Sequence, residues 1–202
     1  MKRSKMLSNK LTAQISERLP NKTPEELEII NYGIESFIMN IYKFALMIAL
    51  AYWLNITKMF IFTLCTYGFI RFFASGVHAR NWYVCLITSS LALFGIVFIS
   101  QIAEIPLIIK SVLFLFSLIL FWKYSPADTE ERPIVNMKKR KFLKLGSILT
   151  ATGLFVYSFL APTTVIGNIC ILSFVVSGLF TTPLIYRLYG KKHNNYKEYL
   201  KI

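Results

Sequence analysis

Several chemically competent residues lie together in one short stretch that joins two apolar runs: Arg71, Ser75, Gly76, His78, Arg80, Asn81 and Cys85. A thiol and an imidazole are the nucleophile and the general base that cysteine catalysis needs. The imidazole can take the proton of the thiol and later return it to a leaving amine. His78 is one of only two histidines, and the other, His193, lies in a polar tail. This stretch is therefore the first place to look for chemistry.

The spacing of His78 and Cys85 limits how the two groups can meet. On one continuous helix, positions seven apart share a face but lie about 10 Å apart along the axis. That separation is too long for a hydrogen bond. Gly76 and Asn81 favour a bend, so we expect a break that brings the His78 ring within about 4–5 Å of the Cys85 sulfur. Without such a break the pair is inert.

Other sites in the chain are weaker. Ser75 is a second potential nucleophile, but the sequence favours the thiol. Cys65 and Cys170 fall inside apolar runs, where a thiol behaves as a small hydrophobe. No second His or Cys stands at ligand spacing from His78, so we predict no metal site.

The stretch from Arg71 to Cys85 lies between long apolar runs, which must position it. The chain has 202 residues and a mean hydropathy of +0.52, too hydrophobic for an ordinary soluble domain. A bilayer core needs about 20 apolar residues per helix, and in lipid each span must be helical. We predict an all-α polytopic membrane protein with six transmembrane helices, at Ser36–Leu54, Lys58–Ala74, Trp82–Gln101, Ile105–Trp122, Leu145–Ala161 and Thr164–Leu184.

The segments outside the spans define the predicted domain organisation. Residues 1–35 form a cytoplasmic N-terminal segment in which apolar residues recur every four positions, typical of an amphipathic helix. Pro20 should end that helix, and Thr23 and Pro24 should cap the next one. Residues 36–186 form the membrane domain, including a loop at 123–144, and residues 187–202 form a basic tail.

The formal charge of +13 is unevenly distributed. Basic residues cluster near both termini, in the 123–144 loop and between the second and third spans, while the connections on the other side carry only Lys58. The positive-inside rule then places both termini and the candidate site in the cytoplasm. Anionic membrane lipids, not nucleic acid, are the expected partners of these charges. Arg71 either snorkels to the interface or has a functional role.

The wider pattern resembles the accessory gene regulator protein B (AgrB) family, membrane endopeptidases that process quorum-sensing propeptides in low-GC Gram-positive bacteria. The resemblance covers essentially the whole chain. It is carried by Arg71, Gly76, the His-x6-Cys spacing and the proline-bounded acidic loop that runs from Tyr124 through Asp128 to Pro133. The family commonly shows two glycines before the histidine, whereas this chain has Ser75-Gly76-Val77.

The resemblance implies that Cys85, activated by His78, cleaves the C-terminal tail from a propeptide of the AgrD type through a thioester. An internal cysteine or serine of the peptide would then close a thiolactone or lactone ring, with no cofactor. Arg71, with Ser75, Gly76 and Asn81 near the bend, is expected to support the transition state, and Asp128 to orient His78. We expect the acidic tail of the substrate to bind Lys138, Lys139, Arg140 and Lys141.

Two other functions stay open from the residues alone. In a small transporter or channel, Arg71 and His78 would line a polar path, although no inverted repeat is visible. In a non-catalytic membrane adaptor, the basic residues would recruit an acidic partner. Both tolerate loss of the Cys85 thiol. The oligomeric state is also open, with a homodimer compatible with tight helix packing.

Overall fold

The computed structural model describes residues 2–19, 21–77, 81–129 and 133–199. These described residues form nine helices: α1 (Lys2–Arg18), α2 (Pro24–Trp53), α3 (Thr57–Ala74), α4 (Trp82–Ile102), α5 (Leu107–Tyr124), α6 (Met137–Leu160), α7 (Thr164–Leu179), α8 (Pro183–Leu188) and α9 (Tyr196–Tyr199). An isolated parallel bridge joins Ser75 to Ala127. The predicted all-α class is confirmed.

The first of two compact units comprises Met1–Asn55, with α1 and α2. α1 ends at Arg18, just before Pro20, as predicted. Thr23 caps α2 because its hydroxyl accepts from the Glu26 N–H, while the Glu26 carboxylate accepts from the Thr23 N–H. This reciprocal cap and Pro24 at the first helical position start α2 where the sequence places it. The amide of Asn31 in α2 bonds Asn9 in α1 at 2.9 Å.

The second unit, Ile56–Ile202, is built around α7, which packs against α3, α4, α5 and α6. Both faces of α7 are buried, so it is the central helix of this unit. Its core contacts form one cluster: Ile70, Ala74, Phe121, Ala151, Ile171 and Phe174. Small polar residues hold neighbouring helices together, as in the Thr66–Ser173 hydroxyl pair at 3.2 Å. Such contacts suit a lipid environment, in which close packing and hydrogen bonds drive helix association.

Four of the described helices are long and apolar enough to cross a membrane: α2, α4, α5 and α6. The other two predicted spans correspond to α3, which carries Lys58 and Arg71 within its 18 residues, and to α7, which is apolar but only 16 residues long. The structure therefore supports a multi-pass membrane protein, and the count of six spans stays a prediction.

Two predicted boundaries were wrong. α6 begins at Met137 and not at Leu145, because the Asn136 side chain caps it by accepting from the Lys139 N–H at 3.1 Å. Residues 137–144 of the predicted 123–144 loop are therefore helical. The second wrong boundary is the end of the sixth predicted span, because α7 stops at Leu179 and not at Leu184. Pro183 has no N–H to donate and holds the preceding residue in an extended conformation, so it starts the separate helix α8.

Candidate active site

The chain leaves helical geometry directly after α3. Ser75 has φ of 56° and Gly76 has φ of 126°, both in the region that L side chains rarely adopt. The Gly76 N–H donates to the Ala127 carbonyl at 2.9 Å, and the Ala127 N–H donates to the Ala74 carbonyl at 3.0 Å. The predicted break between Gly76 and Cys85 is therefore confirmed, and the loop after α5 holds its first residues.

The Arg71 side chain is bound to this turn. Its Nη2 donates to the Val77 carbonyl at 3.1 Å, and its Cζ lies 5.5 Å from the centroid of the Phe180 ring. Nη1 is buried and has no hydrogen-bond partner among the described residues. Within the described residues, the guanidinium thus holds the turn through Nη2, while Nη1 has no acceptor.

Cys85 lies on the first turn of α4 and is half-buried. The Asn81 side chain caps this helix by accepting from the Tyr83 N–H at 2.9 Å, so Asn81 fixes where α4 starts. The Cys85 Sγ lies 4.0 Å from the Ser89 hydroxyl one turn further on. His78 and Arg80 lie outside the described residues. The close approach of His78 to Cys85 therefore stays a prediction.

Tyr67 is a residue near the site that sequence reasoning missed. Its ring centroid lies 6.0 Å from the Arg71 Cζ. Tyr67 thus flanks the Arg71 guanidinium from the preceding turn of α3. The available signal was its position four residues before Arg71, which places the two side chains on one face of α3.

Asp128 is buried, and its carboxylate faces the C-terminal tail. Oδ2 accepts from the Tyr196 N–H at 2.8 Å and lies 3.6 Å from Arg140 Nη1. Oδ1 has no hydrogen-bond partner within the described ranges. Asp128 follows Ala127, which pairs with Gly76, so it lies beside the turn. Its orientation of His78 stays a prediction.

The predicted substrate-binding cluster divides into two parts. Lys138, Lys139 and Lys141 are exposed on the first turns of α6. Arg140 turns inward, with its side chain only 11% exposed, and donates to the Pro126 carbonyl at 3.1 Å. Arg140 thus differs from the three exposed lysines, because its guanidinium contacts the loop and the tail, and its part in substrate binding stays a prediction.

The tail after α7 folds back over the loop, which sequence reasoning did not foresee. The Tyr186 hydroxyl donates to the Asp128 carbonyl at 2.9 Å. The His193 ring packs edge-on against Tyr186, with 4.9 Å between centroids, and its Nε2 lies 3.2 Å from the Thr181 carbonyl oxygen. Burial lowers the pKa of His193 below its usual range, while the Thr181 carbonyl and Asp128 oppose that shift.

The remaining cysteines take no part in this arrangement. Cys65 is exposed on α3 and Cys170 is buried in α7, and no disulfide joins any of the three cysteines. Within the part of the chain that the structure describes, no three His, Cys, Asp or Glu side chains cluster as metal ligands would.

The family model described as Accessory gene regulator B matches residues 8–182. A putative AgrB-like protein of Clostridium acetobutylicum is 28% identical over 202 residues, covering 98% of this chain and 97% of that relative. Another, from Listeria monocytogenes serotype 4a, is 25% identical over 170 residues, or 84% of this chain and 83% of the relative. A third, from Clostridium perfringens, is 26% identical over 81% of this chain and 76% of its own length. No solved structure matches.

The matched residues run from α1 to the end of α7 and include Arg71, the turn after α3, Cys85, Asp128 and the basic start of α6. The match therefore covers most of the chain and the whole candidate site except the tail. The chain belongs to the accessory gene regulator B (AgrB) family.

Proposed function

We propose that this protein is a membrane-embedded cysteine endopeptidase that removes the C-terminal tail of an AgrD-type quorum-sensing propeptide and promotes closure of the remainder into a ring. Family membership indicates a role in accessory gene regulator quorum sensing. The observation that carries the finer proposal is the break between Ala74 and Trp82. A continuous helix would hold the His78 and Cys85 side chains about 10 Å apart, and the break removes that constraint.

In the first step, the Cys85 Sγ attacks the carbonyl carbon of one peptide bond of the propeptide. His78 takes the thiol proton, and the same imidazole then donates it to the departing amine as the C–N bond breaks. The acidic tail leaves with a new N-terminus, and the rest of the peptide is held on Cys85 as a thioester.

In the second step, an internal cysteine or serine of the peptide attacks the thioester carbonyl. His78 takes the proton of that nucleophile, the carbon–sulfur bond to Cys85 breaks, and the Cys85 thiolate recovers the proton. The thioester conserves the acyl energy, so closure of the thiolactone or lactone needs no nucleotide. Exclusion of water at the membrane favours the internal nucleophile over hydrolysis.

Arg71 is the proposed stabiliser of the oxyanion in both steps. One of its nitrogens is held by the Val77 carbonyl at 3.1 Å, and buried Nη1 has no partner among the described residues. A preorganised donor costs no reorganisation when negative charge develops on the substrate carbonyl. The N–H groups of Gly76 and Val77 do not share this role, because they are already bound to the carbonyls of Ala127 and Phe180.

Substrate capture is assigned to Lys138, Lys139 and Lys141. All three are exposed at the start of α6, where they can attract the acidic tail of a propeptide that lies on the inner leaflet. Exposed ion pairs are individually weak, typically under about 1 kcal/mol, so the three lysines act together. Capture of this kind weakens as salt shortens the reach of exposed charge.

The proposed membrane arrangement has six spans. α3 and α7 are 18 and 16 residues long, or about 27 and 24 Å, slightly shorter than a bilayer core of about 30 Å. A short span is accommodated by local thinning of the bilayer, and α7 is surrounded by other helices. Six spans place both termini, the candidate site and the loop after α5 in the cytoplasm of a bacterial cell.

The test is cleavage of an AgrD-type propeptide, followed by mass spectrometry of the products in membranes that contain this protein. Cys85→Ala and His78→Ala are expected to abolish both the tail-less product and the ring. Cys65→Ala and Cys170→Ala, the matched controls, should retain cleavage because these thiols lie within α3 and α7 and not at the break between α3 and α4. Raising the salt concentration in the same assay should slow cleavage by the wild-type protein.

Retained cleavage in a Cys85→Ala protein that inserts normally would show that the thiol is not the nucleophile. Tail removal without ring closure would support hydrolysis and contradict the acyl-transfer step. A propeptide that is neither cleaved nor cyclised by the wild-type protein would leave family membership intact and refute the endopeptidase proposal for that class of substrate.

A further inference from the structure

Three hydrogen bonds join the C-terminal tail to a single residue of the loop after α5. Asp128 Oδ2 accepts from the Tyr196 N–H at 2.8 Å. The Asp128 carbonyl accepts from the Tyr186 hydroxyl at 2.9 Å and from the Asn195 amide at 3.4 Å. Asp128 is only 2% exposed, and a buried carboxylate is costly unless it is paired. The tail therefore supplies one donor to this carboxylate, the Tyr196 N–H, and two donors to the backbone carbonyl of the same residue.

Arg140 completes the same assembly from α6. Its Nη1 lies 3.6 Å from Asp128 Oδ2, and its Nη2 donates to the Pro126 carbonyl at 3.1 Å. The guanidinium lies 3.5 Å from the centroid of the Tyr196 ring, the stacked geometry that arginine favours and lysine cannot reproduce. We call the contacts of Tyr186, Asn195, Tyr196 and Arg140 with the 126–128 loop the tail clamp.

The residue before Asp128 is bonded to the turn of the candidate site. Ala127 is 2% exposed, donates to the Ala74 carbonyl at 3.0 Å and accepts from the Gly76 N–H at 2.9 Å. The next residue of the turn, Val77, accepts from Arg71 Nη2. A displacement of Asp128 therefore moves Ala127, and through it the backbone that holds the Arg71 guanidinium.

We infer that the tail clamp positions the catalytic turn, with Asp128, Arg140 and Tyr196 as positioning residues that act through the Ala127 backbone. The tail thus has a role in catalysis although none of its residues needs to touch the substrate. The kinetic part of this inference rests on the proposed function. The structural part of the inference is that the clamp holds Ala127 against the turn, and this part does not depend on the proposed function.

A cross-link tests the structural part without any activity. In the full-length protein with Cys65→Ser, Cys85→Ser and Cys170→Ser, the changes Ser75→Cys and Ala127→Cys place two thiols on the bridged pair. Partners in such a bridge lie within the Cα separation that a disulfide requires. Oxidation in membranes should cross-link the two positions, and Tyr196→Ala or Asp128→Asn should lower the yield by about threefold or more. Tyr199→Ala, an exposed tyrosine on the same short helix, should leave the yield unchanged.

Kinetics test the positioning role in the protein with its native cysteines. Tyr196→Ala should lower kcat for the AgrD-type propeptide by between about tenfold and 10²-fold, the cost of a small misplacement of catalytic groups. KM should stay within about twofold, because the exposed lysines that capture the substrate are unchanged. Tyr196→Phe keeps the ring over Arg140 and should restore the rate, and Tyr199→Ala should match the wild type.

The inference fails if Tyr196→Ala and Asp128→Asn, inserted normally, keep both the wild-type cross-link yield and kcat. It also fails if Tyr199→Ala causes the same losses, because the effect would then not belong to the clamp. If Tyr196→Ala does not insert, Arg140→Lys, which keeps the charge and loses the stack, decides the question on the same two readouts. Wild-type cleavage in Cys85→Ala would refute the proposed function and leave the cross-linking result standing.

Discussion

The turn after α3 depends on the absence of a side chain at Gly76. A Cβ built at this position would collide with the Arg71 guanidinium and would lie 2.9 Å from the Phe180 carbonyl oxygen. The guanidinium is the end of a flexible side chain and can move, but the carbonyl belongs to the backbone. The φ of 126° is a second obstacle, since L side chains rarely adopt it.

We therefore predict that Gly76→Ala costs about 1–3 kcal/mol in backbone strain and displaces Arg71 from the Val77 carbonyl. Cleavage of the propeptide should fall by about tenfold or more while the protein still inserts. Thermal unfolding in detergent measures the loss of stability, and the propeptide cleavage assay measures the loss of activity. Gly68→Ala is the matched control on α3, because nothing lies within 4 Å of a Cβ there. Equal rates for the two variants would refute this account of the turn.

At the residue level, local chemistry was predictable and long-range contacts were not. The sequence singled out Arg71, Gly76, Asn81 and Cys85 by residue type and spacing, and the structure gathers these residues around the end of α3 and the start of α4. The Phe180 carbonyl, which bonds the Val77 N–H, lies about a hundred residues away. No local pattern indicates which distant carbonyl will meet a turn.

At the level of elements, helix ends that depend on local sequence were predictable, and those that depend on distant contacts were not. Thr23, Pro24 and Glu26 form a local capping pattern, and the structure confirms it. The start of α6 was missed because a run of four basic residues resembles a solvent-exposed loop, although lysine and arginine are good helix formers. The fold of the tail over the 126–128 loop could not be predicted, since it depends on Arg140 and Tyr196 meeting around a buried carboxylate.

The lowered pKa of His193 predicts that the docking of the tail depends on pH. Burial is the largest cause of its lowered pKa, and Arg140 and Lys197 lower it further, against the opposing effects of the Thr181 carbonyl and Asp128. The folded protein therefore binds fewer protons at His193 than the unfolded chain, whose histidine titrates near 6.5. Linkage then requires that the stabilisation from His193 is complete above about pH 7.5 and is lost as pH falls through 6.5 toward the lower, folded value.

We predict that acidification from pH 7.5 to 5.5 loosens the tail around His193. Hydrogen exchange of the backbone amides in residues 191–199 should rise after correction for the intrinsic pH dependence of exchange, while amides in the middle of α7 stay protected. His193→Gln, which can still donate to the Thr181 carbonyl but does not titrate in this range, should remove the pH dependence. A pH response that persists in this variant would assign it to another group.

At the scale of the whole molecule, two membrane topologies have to be compared. The lengths of the helices are compatible with four spans, whereas the distribution of basic residues favours six. If only α2, α4, α5 and α6 cross the membrane, α4 and the turn before it begin on the side opposite the N-terminal segment. The loop after α5 and its basic residues would then lie on that outer side. If α3 and α7 cross as well, all basic clusters lie on the inner side, as the positive-inside rule requires. The distribution of basic residues therefore favours six spans over four.

We predict the six-span topology, and single engineered cysteines can test it in a protein whose native cysteines are replaced by serine. A membrane-impermeant maleimide added from outside should label sites near Asn55, Ala103 and Thr163. It should not label Lys139→Cys until the cells are permeabilised. Asn55→Cys is the positive control, because both topologies place it outside once α2 has crossed. External labelling of Lys139→Cys with none of Thr163→Cys would establish four spans. The candidate site would then face away from a propeptide made in the cytoplasm, so this one experiment bears on the fold and on the proposed function together.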